Sequence, residues 1–144
     1  MTEPIVRTVH VAAPPEVVFD YFVDDQKIVR WKAVESTTDP RPGGLYRLNV
    51  TGRVAAAGEF IEVEPPKRLV YTWGWEGNTA VPPGSSRVEV TFEPENGGTL
   101  VRVVHSGLPD DEQAAQHAVG WEHYFLRLTV VAVGGDPGPD PWAG

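Results

Sequence analysis

Four histidines and 20 aspartate and glutamate side chains are the groups in this 144-residue chain most suited to acid–base or metal chemistry. There is no cysteine, which excludes disulfides, thiolate-bound zinc, iron–sulfur clusters and a thiol nucleophile together. Helical metal ligands need i, i+3 or i, i+4 spacing. His117 and His123 lie six apart and no His-Glu-x-x-His occurs, so no metal site is expected. Nucleophilic catalysis has no Gly-x-Ser-x-Gly elbow to work from, and Ser85-Ser86 sit in a Pro/Gly loop. Gly43-Gly44 and Gly134-Gly135 do not lead from a strand into a helix, so neither forms a phosphate cradle. No pattern calls for a cofactor.

His105 is the sharpest polar candidate. It shares a strand face with Val101 and Val103, which should point inward. An imidazole there is either a ligand-contacting donor or general base, or a core group satisfied by backbone or by Trp121. The turn Ser106-Gly107-Leu108-Pro109 suggests that His105 lies near the mouth of the fold, partly wet. The large residues Trp31, Tyr46, Tyr71, Trp73, Trp75, Trp121 and Phe125 either line a pocket or fill the core. Small Ala114 and Ala118 opposite such rings would leave space along the N-terminal half of the last helix. The expected ligand-binding set is Trp31, Tyr46, Leu48, Tyr71, Trp73, Val90, His105, Ala118, Trp121 and Phe125. Glu122 and Arg127 lie off the apolar stripe and are expected in solvent.

The elements that would position these groups follow from periodicity. Residues 5–11 alternate as a first strand. Pro14-Pro15 and Glu16 suit a helix start, and Val18, Phe19 and Phe22 form its stripe. A second short helix is expected from Asp25 to Trp31. Pro40-Arg41-Pro42-Gly43-Gly44 breaks the chain, and a period-two pattern then predicts five strands. They start with Tyr46, Leu48 and Val50 and end with Thr99–His105, after an Asn96-Gly97-Gly98 hairpin turn. Asp110 caps a long helix with stripe Ala114, Ala118, Trp121, Phe125, Leu128 and Ala132, closed by Gly134. The reading is one α+β domain over 1–134, a curved antiparallel sheet wrapped around the last helix, with a flexible tail over 135–144.

The segments Val11-Ala12-Ala13-Pro14-Pro15-Glu16-Val17-Val18-Phe19, Trp31-Lys32-Ala33, Pro42-Gly43-Gly44-Leu45-Tyr46-Arg47 and Gly58–Leu69 stand in a telling order with Tyr71-Thr72-Trp73, His105-Ser106-Gly107-Leu108-Pro109 and Gly120-Trp121. Together they resemble the proteins homologous to the activator of the Hsp90 ATPase, within the START-like, Bet v 1-like helix-grip domains. The resemblance spans about residues 5–130. It implies a helix-grip fold whose cavity, between sheet and C-terminal helix, commonly holds apolar small molecules. The Hsp90-activating protein carries an additional N-terminal domain with an Asn-rich, Trp-containing motif. Trp73-Gly74-Trp75-Glu76 is similar only on the surface of it, so Hsp90 is not expected as a partner.

With 12 basic against 20 acidic side chains the formal net charge is −8, which disfavours phosphate backbones and anionic membrane surfaces. No apolar run reaches the roughly 20 residues of a membrane span. The N-terminus lacks a signal-peptide pattern, so the expected location is the cytoplasm. The expected function is binding of a small, largely apolar molecule. A cyclase- or hydrolase-type enzyme using His105 as acid–base is the first alternative, and a protein-interaction module related to Hsp90 co-chaperones the second. A homodimer is compatible with either.

Overall fold

A computed structural model describes residues 3–143. Seven strands form one antiparallel sheet in the order β1-β7-β6-β5-β4-β3-β2. The strands are β1 (Ile5–Val11), β2 (Glu35–Thr38), β3 (Leu45–Asn49), β4 (Ala55–Glu64), β5 (Arg68–Trp73), β6 (Ser86–Glu95) and β7 (Gly98–Ser106). Two short helices, α1 (Pro15–Val23) and α2 (Asp25–Ile28), follow β1, and the long helix α3 (Asp111–Val131) closes the order. This is the helix-grip architecture expected from the sequence.

Alternation builds one apolar face. Val88, Val90 and Phe92 of β6, Val101, Val103 and His105 of β7, and Leu69, Tyr71 and Trp73 of β5 are all buried. A register shift between Phe60 and Glu62 marks a bulge in β4, which bends the sheet. At one end Phe19 and Phe22 of α1 pack edge-on against Phe92, at 5.2 and 5.1 Å between centroids. That end is thereby filled with rings.

α3 begins as read: the Asp110 carboxylate accepts from the Gln113 N–H at 2.8 Å. It ends in paired bonds from the Gly134 N–H to Val131 O and from the Gly135 N–H to Val130 O, with Gly134 at φ 89°. Its buried face is broader than the expected stripe. His117, Tyr124 and Val131 are buried beside Trp121, Phe125 and Leu128, while Ala114 and Ala118 are only partly covered.

Four local differences from the sequence reading have physical causes. β2 was not expected, because Glu-Ser-Thr-Thr has no apolar alternation. It is an edge strand held by polar bonds, with Ser36 and Thr38 both donating to the Asp25 carboxylate at 2.7 Å. α2 ends at Ile28 rather than Trp31, and the chain there turns so that the Trp31 indole donates to Tyr21 O at 2.8 Å. The tail, expected to hang free, lies back on α3. The Trp142 ring stacks on His123 at 3.8 Å, and Asp140 accepts from both His123 and Tyr124 at 2.8 Å. Bonds from His123, Tyr124 and the Trp142 N–H outweigh the cost of burial and hold the Asp140 carboxyl below its usual range. Arg127, expected in solvent, is part-buried and ties the tail to the domain. Its guanidinium donates to Trp31 O and to Gly138 O, both at 3.0 Å.

Candidate functional site

Between the N-terminal half of α3 and the β3–β5 side of the sheet lies a cavity of about 510 Å³. The sheet side supplies Val50, Val54 and Trp73, the loop after β5 supplies Trp75, and β7 supplies His105. α3 contributes Gln113, His117, Gly120, Trp121 and Tyr124, and the tail adds Trp142 at the rim. Gly120 faces open space on the helix side: a Cβ built there meets nothing within 4 Å. Gly74 allows the opposite wall. A Cβ at Gly74 would fall 1.7 Å from Pro82 O, so only glycine lets the loop fold back and present Trp75.

His105 is central and dry, not at a wet mouth. It is 1% exposed and both its nitrogens are occupied. The Ser86 hydroxyl donates to Trp73 O at 2.8 Å, so its oxygen accepts the His105 Nε2–H at 2.9 Å. Nδ1 then accepts from the Trp121 indole N–H at 3.1 Å. Only the neutral Nε2–H tautomer satisfies this set. Burial, then the nearness of His117 and Lys32, push its pKa down to about 3. A base so weak and so fully bonded is poorly placed to take a proton from a substrate.

His117 is built the same way with its tautomer reversed. Its Nδ1–H donates to Gln113 O at 2.8 Å and its Nε2 accepts from the Trp75 indole at 3.2 Å. Burial and Lys32 lower its pKa, against the bond to Gln113. The two imidazoles meet edge to face at 5.2 Å. Each is an acceptor for a tryptophan and neither carries charge.

The cation of the cavity is Lys32, which the sequence reading did not single out. Its side chain turns inward from the segment after α2 and is 5% exposed. Nζ lies 4.2 Å from the Trp121 ring centroid and 5.0 Å from that of Trp73. It donates to the hydroxyls of Tyr46 at 3.4 Å and Tyr71 at 3.3 Å. Those two rings stack at 4.1 Å, and burial raises both phenol pKa values, so they stay neutral. Burial lowers the Lys32 pKa from 10.5 to about 7. None of the ion pairs among the described residues includes it.

Of the ten expected ligand-binding residues, Trp73, His105 and Trp121 line the cavity. Tyr46 and Tyr71 stand behind it and hold Lys32. Trp31, Leu48, Val90 and Phe125 are buried in the core, and Ala118 packs against it partly covered. In the sequence His117 offers only a metal-ligand reading. The signal for Lys32 was its place beside Trp31, on a segment too short to show a period. Among the described residues no three His, Asp or Glu side chains cluster as a metal site, and no helix is long and apolar enough to cross a membrane.

The profile of the family described as "Activator of Hsp90 ATPase homolog 1-like protein" matches residues 12–132. An AHSA1-like protein of Rhizobium etli, solved in solution, is 53% identical with a TM-score of 0.77, covering 98% of this chain and 88% of that one. CalU16 of Micromonospora echinospora is 28% identical with a TM-score of 0.75, covering 91% of this chain and 76% of that one. An uncharacterized protein of Schizosaccharomyces pombe is 26% identical over 117 residues, which is 80% of this chain. The chain spans about a third (32%) of that curated relative's length. Fold, motif order and profile agree: the chain belongs to the Activator of Hsp90 ATPase homolog 1-like family.

Proposed function

We propose that the chain binds a small, largely apolar molecule in the cavity between the sheet and α3. The observation that carries this is the space itself: about 510 Å³ walled by indole and imidazole rings, within the size range of small-molecule sites. Family membership supports it, since the helix-grip fold resembles domains that enclose ligands in this position. The mechanism is burial of apolar surface against Trp73, Trp75 and Trp121, each able to contribute a large flat contact. Catalysis by His105 is not favoured, because both its nitrogens already serve Ser86 and Trp121.

Titration with Nile red, a neutral environment-sensitive dye, tests the reading. Binding should saturate at one site and quench tryptophan fluorescence. Absence of saturable binding, or binding with unchanged tryptophan emission, refutes it.

A further inference from the structure

Two buried polar groups at the cavity wall are under-satisfied, and both are hydrogen-bond donors. The first is Lys32 Nζ, an ammonium among aromatic faces with only two neutral phenols for partners and no carboxylate. The second is the indole N–H of Trp73, which is buried and makes no hydrogen bond. The ring and hydroxyl acceptors beside them are already committed. His105 Nδ1 serves Trp121, His117 Nε2 serves Trp75, and Ser86 accepts from His105. Burying a lone charge and an unmet donor is costly. The carboxylate that lines the cavity, Glu76, is held by Arg47, and among the described residues no carboxylate or amide side chain bonds Lys32 Nζ or the Trp73 N–H.

We infer that Lys32 and the Trp73 indole form an anion-binding subsite, and that the cavity's ligand is an apolar weak acid whose carboxylate or equivalent oxyanion accepts from both. This deepens the proposed function and rests on it. The aromatic walls take the apolar body, and the acid group completes the donor pair. An ammonium held against Trp121 and Trp73 is retained as a charge when an anion joins it, because the pair is neutral where the cation alone is not. Tyr46 and Tyr71 position Nζ without competing for it, since both remain un-ionised. The overall charge of −8 repels anions at long range, so a preference for an acid must be local to this subsite.

The experiment compares 2-naphthoate with 2-naphthamide, which share shape and differ in charge, by calorimetry on the full chain at pH 6.5. Nile red is titrated in parallel to report the cavity. The expected result is at least tenfold tighter binding of naphthoate. That preference should vanish in Lys32→Met, which still binds Nile red, and fall severalfold in Trp73→Phe, where the ratio of naphthoate to naphthamide affinity removes the loss of apolar contact common to both ligands. Nile red bound with no naphthoate preference, or with a preference that survives Lys32→Met, overturns the anion subsite and leaves the cavity reading intact. Failure of Nile red and both naphthalenes to bind the unaltered protein overturns the cavity reading, and the subsite with it. Trp73→Phe keeps an aromatic ring and removes the N–H, so its naphthoate-to-naphthamide ratio supplies the decisive comparison should Lys32→Met not fold.

Discussion

The Trp121 indole N–H donates to His105 Nδ1 at 3.1 Å, joining α3 to β7 through the middle of the grip. This bond exists only while Nδ1 keeps its lone pair, so it ties the packing of helix on sheet to a neutral imidazole. The bond from His105 Nε2 to Ser86 extends the link into β6.

Replacing His105 with Phe keeps the bulk and strands two buried groups, the Trp121 N–H and the Ser86 oxygen. A loss of about 1–3 kcal/mol at pH 7 is expected by urea denaturation. The sign with pH follows from a folded pKa of about 3 below the ordinary 6.5. Between those values the unfolded chain binds a proton that the native chain refuses. Wild-type stability therefore falls as pH drops from 6.5 toward 3, and the gap to His105→Phe narrows. Nile red affinity on the folded fraction should change by less than about threefold. A stable variant with strongly weakened dye binding would make His105 a ligand contact instead.

Lys32 predicts the opposite region of pH. Below about pH 7 it is charged in both states, and the native state bears the whole cost of burial. From about 7 to 10.5 the unfolded chain holds a proton that the native chain has released, so stability rises with pH. Above about 10 the raised phenols of Tyr46 and Tyr71 reverse the trend, because only the unfolded chain ionises them. Lys32→Met removes the lone charge and should stabilise the protein by about 1–4 kcal/mol at pH 6. The advantage should shrink toward pH 10. Thermal unfolding across that range checks it, and a destabilised Lys32→Met at pH 6 would show that the ammonium is compensated.

The tail offers a third test. Removing residues 136–144 takes away the Trp142 stack on His123, both acceptors on Asp140 and the Gly138 carbonyl that Arg127 uses. Sequence alone argues for little effect, since proline and glycine cannot continue the helix. With these contacts in place, a loss of about 1–3 kcal/mol in denaturation is expected, most of it reproduced by Trp142→Ala. Truncated protein as stable as the full chain would show that the docked tail adds no net energy.

The fold was legible because alternation and helical periodicity are long-range signals along the sequence. Strands of five to ten residues and a 21-residue helix repeat them often enough to read. β2 was hidden because its four residues are held by Asp25 rather than by apolar contacts. The site was half legible. Trp73, His105 and Trp121 stood out by type and face, and they do line the cavity. Lys32 did not, because a lysine on a short turn reads as solvated until the chain around it is folded. Trp142 is the residue of the tail whose ring could dock, but its seat was not legible: proline-rich sequence says where a helix stops, not where the chain goes next.

Gly120 decides whether the cavity beside α3 is the place where apolar molecules bind. Glycine inside a helix costs about 0.8–1.0 kcal/mol relative to alanine, so its presence works against α3. The compensating feature is the open space over its α-carbon. Gly120→Ala should therefore raise stability by up to about 1 kcal/mol and leave room for a ligand. Gly120→Leu should keep much of that gain while its branched side chain enters the cavity that Gly120 lines. Nile red binding should then weaken at least tenfold, with the folded structure preserved by circular dichroism. Dye affinity unchanged in Gly120→Leu would mean that the dye sits elsewhere, most plainly in the hollow of about 820 Å³ beneath the tail, lined by Val29, Ala33, Gly135 and Pro137. The tail truncation separates these outcomes, because it opens that second hollow and takes only Trp142 from the rim of the first.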